Sequence, residues 1–231
     1  MNKKIQIIAH AGAKGIENEN TLAAFKKAID YGADMIEIDV RYHDNKCWVF
    51  HDRRLERLTP LKGRLEDHNS TTLRKITFAN NQGIPYLEEA IEYIDKRLPI
   101  NIEIKSLKGI NPIAKLITHY LNKGWSPDDF LLSSFNHVHL KQLETLVPTV
   151  KTAALSASIP LSLSDFTKDL KNCIAINQSI SYINQALIDH AHNNGLKVYV
   201  FTVNHQEDLN DLQELGIDGI FTDHLFPGIT P

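Results

Sequence analysis

Acidic and apolar residues alternate in two short segments of the chain. "MIEIDV" places Glu37 and Asp39 two positions apart, and "INIEIK" repeats the spacing with Glu103 and Lys105. Because successive side chains of a strand point to opposite faces, each polar pair shares one face and the isoleucines share the other. Buried without partners, such charges carry a desolvation penalty of several kcal/mol each. The acids outnumber the lysine, so the pattern predicts a divalent cation, and oxygen ligands favour Mg²⁺ or Ca²⁺ over zinc.

Two histidines end apolar segments that neighbour these acids in the chain. His10 closes "IQIIAH", before the first acidic strand, and His51 closes "KCWVFH", just after it. One acidic strand alone could equally face solvent, and a lone histidine is more often structural than catalytic. The convergence of both features is therefore the informative observation. Two imidazoles beside a metal-bound anion could exchange protons near neutral pH, one as base and one as acid.

The elements that must position these residues alternate along the chain. Short apolar segments predict eight strands, at residues 5–10, 34–40, 100–105, 130–134, 150–155, 173–177, 197–203 and 218–223. Apolar residues three and four positions apart predict helices between them, at residues 20–32, 86–98, 112–124, 137–146, 181–195 and 206–216. Such alternation is typical of a parallel sheet, and eight strands favour an α/β TIM barrel. An open doubly wound sheet is the structural alternative.

A barrel would direct the polar faces of the acidic strands inward. The apolar faces meet the surrounding helices, which leaves the acids and the lysine near the carboxyl-terminal mouth. One departure from regular alternation follows the second strand, where residues 46–52 indicate a hairpin return. Residues 53–85 then form a short irregular insertion that we expect to shape the pocket. The insertion lacks the length of a second domain, so residues 1–231 are predicted to form a single domain.

Composition and charge exclude several classes of protein. The 231 residues are 42% hydrophobic and 23% charged, with a net charge of -3, which argues against a nucleic-acid-binding protein that neutralises many phosphates. Cys47 and Cys173 lie in apolar segments and are expected to be reduced core thiols. No segment reaches transmembrane length, and the apolar stretch near the start is too short for a signal peptide. We therefore expect a cytoplasmic protein without stable membrane insertion, and the sequence indicates no oligomeric state.

The motifs of the chain resemble those of a known enzyme family. They are E-N-T, G-A-D-x-I-E-x-D-V, H-D-x-x-L-x-R-x-T, E-I-K and a closing T-D, in that order over nearly the whole sequence. The set resembles the glycerophosphodiester phosphodiesterases. The resemblance implies a TIM barrel of the PLC-like phosphodiesterase type with one divalent metal ion as cofactor. It also implies hydrolysis of a small-molecule glycerophosphodiester to an alcohol and glycerol 3-phosphate.

The resemblance implies a role for each residue that matches the family's functional positions. The matches are, for acid/base catalysis, His10 and His51; for the metal ion, Glu37, Asp39 and Glu103; for the substrate phosphate, Lys105; and in support, Glu19 and Asp52. The pattern of alternating charges and strand-end histidines had already singled out the first six of these residues.

Two positions depart from the family pattern. Asn18 stands where the family has the proline of P-E-N-T, a mild change because proline there mainly stiffens a loop. Ala11 stands where the family has the arginine of H-R-G. That arginine would contact a phosphate oxygen, and its loss would cost about 1.5–3 kcal/mol, or roughly ten- to two-hundredfold in rate. By their proximity in sequence, Lys14, Arg41 or Arg53 could replace the missing charge.

Two other functions fit parts of the pattern. A lysophospholipase D-like enzyme would keep the barrel and the metal ion but act on a lipid diester. No long apolar loop or basic amphipathic helix for a membrane surface is evident in the sequence, which argues against it. A non-catalytic binding barrel with an eroded site would explain Ala11. A site without catalysis has no physical reason to keep inward charges, and this argues against erosion.

The remaining candidate residues carry less information. Histidines on or near the predicted helices are expected to face solvent, namely His119, His137, His139, His190, His192 and His205. His43, near the mouth of the barrel, is expected to be a turn residue, with a position bordering the substrate as the alternative. Phe201 ends an apolar strand, where it is expected either to contact substrate or to pack in the core.

Overall fold

The computed structural model describes residues 4–79, 81–106, 108–162 and 167–225. Strands β1 to β9 are, in chain order, Gln6–Ala9, Met35–His43, Lys46–Val49, Ile100–Ile104, Phe130–Ser134, Lys151–Ser156, Cys173–Ser179, Lys197–Phe201 and Gly219–Thr222. Helices α1 to α7 are Leu22–Asp30, Ser70–Leu73, Leu87–Ile94, Ile110–Asn122, His137–Leu146, Gln185–Asn193 and Gln206–Leu215. Short 3₁₀ turns occur at Leu65–Asp67, Pro127–Asp129 and Ile180–Tyr182.

The strands close into a barrel. Their order is β1-β9-β8-β7-β6-β5-β4-β2-β3, and β1 also pairs in parallel with β2. This last pairing closes a ring of parallel strands, to which β3 is attached antiparallel to β2. The predicted TIM barrel with a hairpin after its second strand is therefore confirmed, and the open-sheet alternative is wrong.

The helices follow the predicted periodicity, with local corrections at their ends. Thr21 caps α1 by accepting a hydrogen bond from the backbone N–H of Ala24. The helix predicted to open at residue 181 begins later, because residues Ile180–Tyr182 form a 3₁₀ turn. The side chain of Asn184 then accepts the N–H of Leu187 at 2.9 Å and starts α6. Asparagine is a strong N-cap, so it sets the first turn of the helix.

The strands separate two apolar layers. Their outward side chains pack against the helices in one large cluster that includes Ile36, Ile38, Ile100, Ile102 and Ile113. Inside the barrel a smaller cluster forms its floor, from Ile8, Met35, Leu131, Ala153, Ala175, Tyr199 and Phe221. Two residues further along the same strands, inward side chains line a cavity, among them His10, Glu37, Ser133, Leu155, Asn177 and Phe201. The alternation of each strand thus places an apolar floor beneath a polar mouth.

The insertion after β3 packs around its own small core. Its buried side chains join those of β3 and of the residue after it in one cluster, made of Trp48, Phe50, Leu55, Leu65, Leu73, Ile76, Phe78 and Ile84. The ring of Trp48 also lies 4.6 Å from that of Tyr86, centroid to centroid. The insertion contains one 3₁₀ turn and the four-residue helix α2 among irregular segments. Because this cluster continues from β3, the insertion is fixed against the barrel.

Two smaller expectations are settled by burial. His139 was expected to face solvent, which is wrong: it is 7% exposed, on a face of α5 that packs inward with Leu140 and Leu143. Both cysteines are free thiols, and burial raises the pKa of Cys47 to about 12, which suits an unreactive core position. No helix in the described part of the chain is long and apolar enough to cross a membrane.

Candidate active site

The candidate site is a cavity of about 250 Å³ at the carboxyl ends of the barrel strands. Side chains from the first strands meet there: His10 follows β1, Glu37 lies on β2, Glu103 lies on β4 and Lys105 follows it. His51 reaches the same cavity from the end of the hairpin. The cavity therefore unites charges and imidazoles that are spread over the first half of the sequence.

Three carboxylates cluster at this cavity. Oxygen atoms of Glu37, Asp39 and Glu103 lie within 4.8 Å of one another, and all three side chains are buried. The register of the parallel strands explains the cluster, because Asp39 pairs directly with Glu103 across β2 and β4. Lys105 is the cation of the group, with Nζ 2.5 Å from Glu103 Oε1 and 3.2 Å from Asp39 Oδ1.

The charges of this cluster do not balance. Burial, together with the charges of Asp39 and Glu103, raises the pKa of Glu37 well above its ordinary value. Burial also raises the pKa of Glu103 despite the nearby ammonium of Lys105. Asp39 is also buried, but Lys105 and the two histidines hold its pKa below its ordinary value. One lysine thus stabilises the ionised form of one acid and leaves the other two in need of positive charge.

A divalent cation fits this need. Oε2 of Glu37 accepts the backbone N–H of Ala11 at 2.7 Å, whereas Oε1 is buried with no hydrogen-bond partner among the described residues. A buried unpartnered carboxylate oxygen is costly unless it meets a cation. The donor set is entirely oxygen, as hard ions such as Mg²⁺ and Ca²⁺ prefer. The acidic cluster of Glu37, Asp39 and Glu103 could therefore hold a divalent metal ion.

A second group of possible ligands is already neutralised. Glu19, His51 and Asp52 also lie close enough to share an ion. However, Arg57 donates to both oxygens of Glu19, and its Nε donates to Asp52 Oδ2 at 2.6 Å. Lys14 Nζ also lies 3.5 Å from Glu19 Oε2. With its two carboxylates paired by Arg57 and Lys14, this group needs no metal ion.

Each histidine of the cavity is held by its own aspartate. Nδ1 of His10 lies 2.6 Å from Asp223 Oδ1, and Nδ1 of His51 lies 2.7 Å from Asp52 Oδ1. An ionised carboxylate only accepts hydrogen bonds, so Nδ1 carries the hydrogen in each pair and Nε2 is left for a ligand. Asn204 Nδ2 in turn donates to Asp223 Oδ2 at 2.9 Å. Both imidazoles are thereby oriented towards the cavity in the same tautomer.

The loop after His10 approaches the acids closely. The backbone N–H of Gly12 donates to the carbonyl oxygen of Glu37 at 3.1 Å. Gly12 has a φ of +80°, and a Cβ there would lie 2.8 Å from the Cβ of Ala24, so a larger residue would displace the loop. The side chain of Ala11 is buried and brings no charge.

The three cations that could replace the arginine of the family lie outside this cavity. Lys14 pairs with Glu19, as described above, while Arg41 and Arg53 line a neighbouring pocket that shares Lys105 with the cavity. The two histidines apart, Lys105 is the cation among the described lining residues of the cavity itself. Replacement of the missing charge by Lys14, Arg41 or Arg53 stays a prediction.

Aromatic side chains also line the cavity. Phe135, Phe201 and Phe221 all line it, and Phe201 contacts each of the other two rings edge to face. Phe201 packs on the barrel floor, as expected of a core residue, and it also faces the cavity, where a substrate could contact it. His43 is a strand residue and not a turn residue, since it ends β2 and its Nε2 lies 2.7 Å from the carbonyl oxygen of His68.

Several residues of the site had no role in the sequence-based assignment. Asp223 was present in the closing T-D motif, and its place just after the last strand was the signal that it reaches the mouth. Arg57 was present in the H-D-x-x-L-x-R-x-T motif. Asn20 was present in the E-N-T motif, and its side chain holds Asp39, donating to Oδ2 at 2.7 Å. Asn204 lies in an irregular segment between β8 and α7, where no pattern marked it.

The fold and the cavity together define a TIM-barrel enzyme with its site at the carboxyl-terminal mouth. Residues 10–226 match the Glycerophosphoryl diester phosphodiesterase family, and the chain belongs to that family. A glycerophosphodiester phosphodiesterase of Caldanaerobacter subterraneus is 32% identical over 233 residues, which cover 95% of this chain and 94% of that protein. Another, of Bacillus altitudinis, is 31% identical over 230 residues, 94% of each protein.

A solved structure extends the similarity to three dimensions. An Oleispira antarctica phosphodiesterase, in complex with the product sn-glycerol-3-phosphate, superimposes with a TM-score of 0.87 at 28% identity. The match covers 96% of this chain and 94% of that one. The family resemblance drawn from the motifs is thereby confirmed.

Replacing Arg57 tests the ion pairs that hold Asp52, the hydrogen-bond partner of His51. We expect Arg57→Ala to lower the free energy of unfolding by about 2–3 kcal/mol, because among the described residues it leaves the buried carboxylate of Glu19 with Lys14 as its remaining cation. Urea denaturation measures this change. Arg54→Ala is the matched control, since its exposed pair with Glu56 is expected to contribute little to stability. Equal losses in the two variants would contradict the structural role of Arg57.

Asp223 offers a test by pH. Burial alone would raise its pKa, but the hydrogen bond and charge of His10 outweigh burial and lower the pKa to about 2 from 3.8. A lowered pKa stabilises the fold at pH values above the ordinary pKa of 3.8. This stabilisation is lost as the pH falls through 3.8 towards about 2. We expect wild type to exceed Asp223→Asn in stability near neutral pH, by on the order of 1 kcal/mol after solvent screening. Denaturation at several pH values should show the gap closing in that window, and a constant gap would contradict the assignment.

Proposed function

We propose that this site hydrolyses glycerophosphodiesters to an alcohol and glycerol 3-phosphate, using one divalent ion, Mg²⁺ or Ca²⁺. The observation that carries the proposal is the unpartnered Oε1 of Glu37, within a cluster of acids and beside two histidines that share its cavity. Family membership supports the reaction, because relatives aligned over nearly the whole chain are glycerophosphodiester phosphodiesterases.

In this proposal the acids hold the ion and the lysine meets the phosphate. Glu37, Asp39 and Glu103 would be the ligands, and Asn20 fixes the carboxylate of Asp39 through its hydrogen bond. A bound divalent ion supplies Lewis-acid stabilisation of the charge on a phosphate oxygen. Lys105, mostly buried and charged because the acids raise its pKa against burial, would donate to another phosphate oxygen. The ion and Lys105 would then neutralise different oxygens of the phosphate.

The two histidines would transfer the protons. One would remove the proton of the nucleophile through Nε2, and the other would protonate the leaving alkoxide. The aspartates behind them, Asp223 and Asp52, keep each Nδ1 protonated and stabilise the imidazolium when it forms. The nucleophile would be either water or the neighbouring glycerol hydroxyl, the second route passing through a cyclic phosphate. In both routes the same histidine pair performs the acid and base steps.

A second candidate substrate is a lysophospholipid. Phe135 lines the cavity and is 50% exposed, and Val138 nearby on α5 is 66% exposed. Exposed apolar side chains at a site entrance are suited to contact an acyl chain. The chemistry at the phosphate would be unchanged, so this candidate differs only in the group attached to the glycerol.

The proposal is tested by the release of glycerol 3-phosphate from glycerophosphocholine and glycerophosphoethanolamine, in Mg²⁺, in Ca²⁺ and in chelator. We expect release that needs the ion. Lysophosphatidylcholine, assayed in parallel for choline and lysophosphatidic acid, decides between the two substrates. No release from any diester by folded protein would overturn the proposal and favour the non-catalytic barrel. Ala11→Arg would then show whether the missing arginine is the cause.

A further inference from the structure

A second pocket adjoins the catalytic cavity beside β2 and β4. It has a volume of about 460 Å³, and Lys105 lines both pockets. The other charged side chains that line it are four basic ones and one acidic one, namely Arg41, Arg53, Arg64, Lys108 and Glu66. We call this the basic pocket. Its position means that a molecule bound at Lys105 can extend from one pocket into the other.

Arg41 links the basic pocket to the catalytic side chains. It lies on β2, two residues after Asp39, and its Nε and Nη2 donate to the carbonyl oxygen of His51 at 3.0 and 2.7 Å. These bonds fix the guanidinium plane. Its Nη1 has no hydrogen-bond partner in the described part of the chain, so that edge is free to bind an anion.

The loop after β4 brings two lysines to the basic pocket. Ser106 Oγ accepts the backbone N–H of Tyr42 at 2.8 Å, which ties the loop to β2. Gly109 has a φ of +100°, and a Cβ at this position would lie 2.2 Å from the Cβ of Tyr42. Glycine therefore permits the close approach of loop and strand. Lys105 and Lys108 are held at the basic pocket as a result.

The basic pocket carries an excess of positive charge. Arg53 and Lys108 are exposed and form no ion pair or hydrogen bond with the residues that the structure describes. Arg64 is paired with Asp67 at 3.0 Å, and Glu66 is the acid among the described lining residues. Like charges held around one concave surface repel each other unless an anion occupies it.

We propose that the basic pocket binds a second anionic group of the substrate. The preferred substrates would be glycerophosphodiesters whose alcohol carries a further phosphate, with the scissile phosphate at Lys105 and the second phosphate between Arg41, Arg53 and Lys108. This inference rests on the proposed function of the adjoining cavity. It would also give Arg41 and Arg53 a role other than replacing the arginine that Ala11 lacks.

The kinetic test compares glycerophosphoglycerol with the same molecule bearing a terminal phosphate. We expect wild type to favour the phosphorylated substrate in kcat/KM by about ten- to a hundredfold, since two or more charge-assisted hydrogen bonds are gained. The double variant Arg53→Gln, Lys108→Gln should lose most of this preference. Arg54→Gln, Lys62→Gln is the matched control, because it removes the same charge from exposed residues outside the pocket. An equal loss for both substrates, or the same change in both variants, would overturn the proposal.

A binding test works without turnover. Calorimetry in the presence of the divalent ion would compare glycerol 3-phosphate with glycerol 1,3-bisphosphate on the full chain. We expect the second phosphate to tighten binding at least about tenfold in wild type and in the control, and less than about threefold in the Arg53→Gln, Lys108→Gln protein. Equal affinities for the two ligands in wild type would overturn the basic pocket as an anion site. If no diester is hydrolysed, the proposed function fails, while this measurement still decides the pocket.

Discussion

Glu37→Gln should abolish the thermal stabilisation that Mg²⁺ or Ca²⁺ gives to the wild-type protein and lower turnover about a thousandfold. A ligand that binds only the folded state stabilises it by about 2.7 kcal/mol at a hundred times its dissociation constant. Glu37 holds one of the buried oxygens of the acidic cluster that have no hydrogen-bond partner among the described residues, so the amide removes one ligand and the stabilisation with it. The loss of rate follows because stabilisation of phosphate charge by an ion amounts to several kcal/mol. Thermal denaturation with and without each ion measures the first effect, and the glycerol 3-phosphate assay measures the second.

The shape of glutamine makes the Glu37 result interpretable. Glutamine retains the acceptor for the N–H of Ala11, so the fold without the ion should persist. Glu207→Gln, at an exposed position in the first turn of α7, is the control and should respond to the ion as wild type does. A Glu37→Gln protein that the ion still stabilises fully would place the metal ion elsewhere.

His51→Ala and His10→Ala should each lower kcat by about a hundred- to ten-thousandfold while leaving the stabilisation by the metal ion intact. Each imidazole lines the cavity with its Nδ1 held by an aspartate, which leaves Nε2 for proton transfer. General acid or base catalysis contributes on this scale. The measurements are kcat as a function of pH and thermal denaturation with the ion. One limb of the pH–rate profile should disappear in each variant.

A structural role for the histidines would give a different result. His205→Ala is the control, because His205 is exposed at the start of α7 and its side chain makes no capping hydrogen bond. It should match wild type in rate and pH profile. A bell-shaped profile that survives in the double variant of His10 and His51 would contradict their proposed roles. Loss of stabilisation by the ion in either single variant would instead indicate a role in organising the metal site.

The barrel and the direction of its acids could be predicted from the sequence, because a period of two allows each strand one inward face. The isoleucines of β2 and β4 pack on the helices, which sends Glu37, Asp39 and Glu103 to the other side. The distances between them could not be predicted. They depend on the register that sets Asp39 opposite Glu103, and register is a property of the assembled sheet.

The partners of the histidines show where sequence reasoning ended. Asp52 follows His51 directly in the chain, and the family resemblance implied its supporting role. His10 and Asp223 are 213 positions apart and meet because β1 pairs in parallel with β9. No local pattern carries that information. The closing T-D motif marked Asp223 without revealing which side chain it holds.

The insertion was the least predictable part of the chain. Its buried residues follow no helical or strand period, since they pack around irregular segments and two short helical turns. Periodicity therefore could not indicate that Arg57 returns from it to Glu19 and Asp52. Nor could it indicate that Arg53 and Arg64 meet Arg41 and Lys108 at the basic pocket.

The most direct test of this account is to locate the metal ion by anomalous scattering from crystals of the protein grown with Mn²⁺. We expect an anomalous peak among the carboxylates of Glu37, Asp39 and Glu103, beside Lys105. The alternative ligand group of Glu19, His51 and Asp52 should remain without metal, because Arg57 and Lys14 already pair with its carboxylates. A peak in that second group, or no peak in either while glycerol 3-phosphate release continues in chelator, would contradict the central claim.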